Sequence, residues 1–210
     1  MTDLPLGVTA DALPVPGHIC FFHDTYPELR AVLGAIAKPT LADAREGLVL
    51  LGAPGVAQRL LHDLDVDTDG VGEALAGGRV LQVESDRDAD EYLERIRGAL
   101  DELIARGVET TRAIACVAWN APDFPLPEDH LWLESRLNEI LAPRRTVLIC
   151  TYDISEMPGA ALTYGGLETH PHVIFAGRLS ESPRFIPPEE FMAARLLELR
   201  WLAPDVPPAP

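Results

Sequence analysis

Lysine is almost missing. Lys38 is the single one among 210 residues, and every other basic side chain is arginine. Chemistry that needs an activated amine would have to use Lys38, which stands before Pro39 at the end of a helical pattern, a poor setting for a buried amine. Basic charge as a whole is short: the formal net charge is −16. That field repels polyanions, so nucleic acid and anionic membrane surfaces are excluded as natural partners. Cysteine is scarce too. An odd count of three, Cys20, Cys116 and Cys150, widely spaced, is no disulfide framework. Each lies in an apolar run, where free cysteine behaves as a small hydrophobe, and a reducing, cytoplasmic setting is expected. No apolar run reaches membrane-spanning length, and the first residues, MTDLPLGVTADALPVPG, lack the basic region of a signal peptide.

What is present is an alternation of short apolar runs and amphipathic stretches. Residues 1–16 read as an irregular lead-in, 17–202 as one α/β domain, and the proline-rich 203–210 as a disordered tail. Strands are expected at His18–Phe22 and in GLVLLG, RVLQVE, TRAIACVAW, RTVLICTYD and, as the last one, HVIFAG. Helices lie between them. The first is capped by Thr25, carries Pro27 in its opening turn and is expected to break at Pro39. The final one, PEEFMAARLLELRWL, offers Phe191, Leu196, Leu197 and Trp201 as a covering or docking face. Strands of this kind separated by helices predict a three-layer fold, a mostly parallel sheet with helices on both faces. Ligands of such sheets bind outside the carboxyl ends of the strands.

Several chemistries are absent by motif. There is no G-x-S-x-G elbow, no H-E-x-x-H and no G-x-G-x-x-G. The nearest approach to a P-loop is GAPGVAQR. It has Ala57, Gln58 and Arg59 where the second glycine, the lysine and the hydroxyl residue belong, so ATP hydrolysis is excluded.

Three segments remain that put reactive side chains on apolar strands. In GHICFFHDTYPEL, His18 and Cys20 share one strand face, and His23 follows. In ICTYD, Cys150 and Tyr152 share a face, and Asp153 ends the strand. In GGLETHPHVIFAG, Glu168, His170 and His172 lie within five residues, and Pro171 holds His170 extended. If these strands are neighbours, His18, Cys20, Cys150 and His170 make a Cys2His2 set suited to Zn2+ or another thiophilic metal. The same groups could instead serve as hydrogen-bond partners in a small-molecule pocket, or as core filler. Cys150 beside His170 could also act as a nucleophile, or a bound metal could activate water. Trp119 and Asn120 read as a pocket wall or as packing; His62 and His130, on helices, read as surface residues.

GHICFFHDTYPEL, RLNEIL…TVLICTYD and THPHVI followed by RFIPPEEF, in this order and spacing, resemble the MEDS domain, the methanogen/methylotroph DcmR-type sensory domain. The resemblance runs from about Gly17 to Met192. It implies a RecA/KaiC-like α/β domain without Walker A. It also implies a non-catalytic sensory role: binding a small organic molecule and signalling to a partner such as a histidine kinase or transcription regulator. No output domain is legible beside it, so a stand-alone sensor is expected, and a homodimer is allowed. Carried over by position, the motif residues are His18, Cys20, Cys150, Tyr152, Asp153, His170 and Pro171. His23 departs from the pattern, which commonly has an aromatic there.

Overall fold

The computed structural model describes residues 8–67, 70–119 and 121–202, with side chains at 8–64, 70–119 and 121–195. The expectations for Asn120, for the tail 203–210 and for the side chains of Leu196, Leu197 and Trp201 fall outside these. Seven strands form one sheet in the order β3-β2-β4-β5-β1-β6-β7. They are β1 Gly17–His23, β2 Glu46–Gly52, β3 Val80–Glu84, β4 Thr110–Cys116, β5 Thr146–Asp153, β6 His172–Phe175 and β7 Arg178–Glu181. The first six pair in parallel, and β7 returns antiparallel along β6. The helices are α1 Tyr26–Ala42, α2 Val56–Asp67, α3 Val71–Ala76, α4 Ala89–Ala105, α5 Pro127–Leu141 and α6 Pro188–Leu202.

Alternation along each strand sorts the core into two layers. Ile19, Phe21, Leu48, Leu50, Ile114, Val147, Ile149 and Ile174 face α1, α2 and α3. Cys20, Phe22, Val49, Leu51, Leu148, Cys150, Tyr152 and Val173 face α4 and α5. This is the three-layer α/β architecture the sequence predicts. Before β1, Val8, Ala10 and Leu13 are buried, so that part of the lead-in packs against the first layer.

Two expectations are corrected. Helix α1 does not break at Pro39 but runs on to Ala42. Pro39 falls near the helix end, where little follows it, and Thr40 Oγ1 donates to the Ile36 carbonyl at 2.8 Å while Thr40 and Leu41 are buried. Burial of the apolar face outweighs the missing N–H bond. Nor is β6 the last strand: Ala176 (φ +48°) and Gly177 (φ +71°) turn the chain into β7. Both are left-handed, as a two-residue hairpin turn requires, and an alanine there gives no turn signal in the sequence.

Candidate functional site

The layer between the sheet and α5 contains a polar centre with almost no exposure: His18 is 3 % exposed, Glu134 2 %, Cys150 1 % and His170 0 %. Strand pairing supplies half of it. The parallel register sets Gly17–His23 against Val147–Asp153, so the even residues of β1 lie beside the even residues of β5 on one face. His18 and Cys150 thereby come together, with His18 Nε2 3.5 Å from Cys150 Sγ. Helix α5 lowers Glu134 onto them. Its Oε2 lies 3.3 Å from His18 Nε2 and 3.5 Å from His170 Nε2, and accepts from the Cys150 thiol at 3.5 Å. His170 arrives on the extended residues before β6, and its ring centroid is 3.9 Å from that of His18.

Each imidazole is locked from behind. His170 Nδ1 donates to the Gly166 carbonyl at 2.8 Å. The Asn138 amide donates from Nδ2 to the Thr169 carbonyl at 2.8 Å, which turns its Oδ1 toward His18 Nδ1 at 3.3 Å. With both Nδ1 atoms occupied as donors, both Nε2 atoms point into the centre, and His170 Nε2 has no hydrogen-bond partner there. An imidazole fixed through its outer nitrogen is how proteins prepare a metal ligand. Glu134 is steadied in the same way: Tyr152 Oη donates toward its Oε1 at 2.9 Å, and His130 Nε2 is 3.3 Å from that oxygen.

Over the centre lies a π-helical segment, Ala161–Leu167. Such wide turns are rare and are often found at functional sites. It depends on glycine. A Cβ at Gly166 would stand 2.7 Å from Phe22 Cζ and 3.1 Å from Cys20 Sγ. The close approach delivers the Gly165 and Gly166 carbonyls to Tyr152, Thr169 and His170.

Electrostatics follow from burial. Desolvation pushes the Cys150 thiol well above its ordinary value, and the Glu134 charge pushes it further. Cys20 is raised for the same two reasons. Burial drives His170 down to about 3, helped by His18, so it is a neutral imidazole at neutral pH. Burial acts to raise Glu134, but His170, His18 and His130 around it outweigh that and hold it down to about 2.

One donor atom from each of His18, Glu134, Cys150 and His170 lies within 4.8 Å of the other three, and the group could hold a metal ion. A tetrahedral zinc with N and O near 2.1 Å and S near 2.3 Å sets its ligand atoms about 3.3–3.8 Å apart. The distances of 3.3–3.5 Å around Glu134 and Cys150 already match that spacing.

The sequence-derived residues divide. His18, Cys150 and His170 meet, and Tyr152 stands directly behind Glu134. Cys20 pairs across the strands with Cys150 but packs toward Gly166, outside the four-atom group. His23 is on the other sheet face, against Phe21 at 5.5 Å. Asp153 lies at the strand end, where it accepts from Ser155 at 2.6 Å. Glu168 is buried but pairs with Arg184 and Arg195. His130 is not a surface residue: it is 1 % exposed. The centre is also not at the carboxyl edge of the sheet: His18 is the second residue of β1 and His170 precedes β6, so it lies toward the amino ends of these strands. At the carboxyl edge lies an open cleft of about 530 Å³ lined by Tyr26, Gly55, Gln58, Arg59, His62 and Asp63, none of them among the expected site residues.

Sequence reasoning missed Glu134, His130 and Asn138. Their signal is spacing: His130, Glu134 and Asn138 recur every four residues, on the same stripe of α5 as buried Leu133, Leu137 and Leu141. Polar side chains within an apolar stripe need partners, and here the partners are the centre.

No helix among the described residues is long and apolar enough to cross a membrane. Compared with protein families, residues 17–171 match the MEDS model, the MEthanogen/methylotroph, DcmR Sensory domain. A search of curated proteins found no match.

Proposed function

The chain belongs to the MEDS family of sensory domains, and from that premise we propose that it is a non-catalytic sensor whose stimulus is read at the buried centre. In this reading His18, Glu134, Cys150 and His170 hold a transition metal such as Zn2+. The stimulus is a small organic molecule, and occupancy is passed to a signalling partner protein. The observation that carries the proposal is the convergence of four donor atoms within 4.8 Å, with the outer nitrogens of both histidines already committed elsewhere. A metal held there would supply a Lewis-acidic anchor for a donor atom of the ligand.

The chain's own residues do the rest. Asn138 and the Gly166 carbonyl fix the ring orientations, and Tyr152 and His130 fix the carboxylate. Beside Glu134 and Cys150 is a small void of about 10 Å³, walled mainly by Leu51, Tyr92, Ile96, Phe124, Leu133 and Leu137. That is room for about one water, so the apolar walls favour a ligand of very few atoms that makes its own space by local opening. Catalysis by Cys150 is disfavoured. A nucleophilic thiol needs a depressed pKa and access, and this one is sealed and raised.

The test is native mass spectrometry with elemental analysis of protein purified without chelator, followed by thermal denaturation with small alcohols, aldehydes and halocarbons. Stoichiometric zinc, lost in the His18→Ala/Cys150→Ser variant, together with a raised Tm in a subset of the small molecules, is the expected outcome. Protein that neither carries nor takes up a transition metal sinks the metal-based reading.

A further inference from the structure

The six residues from Gly165 to His170 belong to two structures at once. On their inner side they build the centre: Gly165 and Gly166 present carbonyls, Thr169 Oγ1 lies 2.9 Å from His170 Nδ1, and His170 itself points inward. On their outer side they hold the C-terminal part of the chain. Glu168, two residues before His170, is 2 % exposed and accepts from Arg184, just after β7, at 3.1 Å and from Arg195 on α6. The Ile186 amide donates to the Glu168 carbonyl at 2.9 Å, and Ser182 Oγ donates to the Leu167 carbonyl at 2.6 Å. The Arg195 guanidinium carbon also lies over the Tyr164 ring of the π segment, 4.0 Å from its centre. Helix α6 packs on α5 as well, which carries Glu134. It therefore rests on α5, which carries Glu134, and on the π segment that leads into His170.

We propose that Gly165–His170 is the transmitting element of this domain, and that the Glu168–Arg195 and Glu168–Arg184 pairs latch α6 to the occupied centre. The inference rests on the metal reading above and adds its regulation. The physical argument is one of alternatives. In the metal-free protein, Nε2 of His170 is a buried acceptor with no hydrogen-bond donor, 3.5 Å from the Glu134 carboxylate, a costly state that favours rotation of the ring or displacement of its segment. Glu168 is on the same short stretch, and rotation of residues 168–170 moves its carboxylate relative to the two guanidiniums. A buried carboxylate pulled from its arginines is strongly disfavoured, so either α6 follows or the latch opens. A metal on His170 removes the first alternative and stabilises the docked helix. The ion binds one state better than the other, as a population shift requires.

The experiment is hydrogen–deuterium exchange of the full chain, with zinc and after chelation, with zinc content measured in parallel by native mass spectrometry. In the wild type, amides of α6 and of residues 165–170 are expected to exchange about tenfold more slowly when zinc is bound. In Glu168→Gln, zinc should still bind, while α6 exchanges at one rate in both states. Equal α6 exchange in loaded and stripped wild-type protein overturns the latch and leaves the metal reading standing. So does a Glu168→Gln variant whose α6 responds as the wild type does. Failure of the wild type to bind zinc overturns both. The wild-type comparison needs no variant, so the test holds even if Glu168→Gln folds poorly.

Discussion

His18 and His170, 152 positions apart in the chain, lie with ring centroids 3.9 Å apart and planes inclined by 40°. Both turn Nε2 to the same carboxylate oxygen of Glu134, and both are held by Nδ1. A core stabilised by packing alone has no need of this shared orientation, which is what a group that could hold a metal ion requires.

The two buried cysteines make the sharpest discrimination. Cys150 Sγ is in the four-atom group and Cys20 Sγ is not, although they are cross-strand partners. Cys150→Ser should lower zinc affinity by at least about 100-fold, and Cys20→Ser should leave it within about threefold. Cobalt substitution provides the readout, because sulfur-to-cobalt charge transfer should vanish in the first variant and persist in the second. Glu134→Gln, which keeps an oxygen for Tyr152 to donate to, should behave like Cys150→Ser in affinity while retaining the charge-transfer band.

Much of this was legible in strand periodicity. His18, Cys20 and Phe22 fall on one face of β1 and Ile19, Phe21 and His23 on the other because side chains alternate. The same rule places Cys150 with Tyr152. The hydrophobic runs fixed the layers. Glu134 was not legible by the same route, because an acid on an amphipathic helix ordinarily reads as solvated surface. Its burial depends on which face α5 turns to the sheet. Cys20 was expected in the ligand set with His18, Cys150 and His170, and Glu134 stands in its place for a related reason: periodicity assigns a face, whereas α5 decides which side chain approaches the other three.

Metal uptake should release protons. The Cys150 thiol is pushed far above its ordinary value by burial and by Glu134, so it is protonated at neutral pH and must ionise on binding zinc. His170, held down to about 3, contributes no proton. Between pH 6 and 8 the logarithm of the zinc affinity should rise with a slope contribution from Cys150 of about one per pH unit. Calorimetry in buffers of differing ionisation enthalpy measures it. Affinity independent of pH would mean that the thiol is not a ligand.

Tyr152→Phe tests the support of the carboxylate. Its hydroxyl is 2.9 Å from Glu134 Oε1, while His18, Cys150 and His170 are 3.3–3.5 Å from the other carboxylate oxygen. Removing it should weaken zinc binding by about 10- to 100-fold while leaving the cobalt charge-transfer band in place. Loss of the band would point to a collapsed centre instead.

Two glycine substitutions should act in opposite directions. Gly166→Ala forces a methyl group against Phe22 and Cys20, and overpacking of this kind costs about 1–3 kcal/mol. Gly98, on the exposed side of α4, has nothing within 4 Å of an added Cβ, and Gly98→Ala should stabilise by about 0.5–1 kcal/mol. Chemical denaturation of the two variants beside the wild type gives both signs in one experiment.

Acid should destabilise the metal-free protein in two stages. Burial lowers His170 from 6.5 to about 3, so between those values the unfolded chain carries a proton that the folded one refuses. Stability therefore rises with pH across that window and is lost as pH falls through it, at about 1.4 kcal/mol per pH unit for one such proton. Glu134 acts with the same sign lower down. Its folded value of about 2, against an ordinary 4.5, gives stability that is present above pH 4.5 and fades as pH falls toward 2. Burial also depresses His130 and His23, adding to the first stage. Urea unfolding of chelated protein from pH 7.5 to 4.5 should show the decline, and His170→Leu should flatten it by about 1.4 kcal/mol per pH unit. A His170→Leu slope equal to that of the wild type would mean that this ring takes up its proton in the folded state, and that its burial leaves it free to titrate.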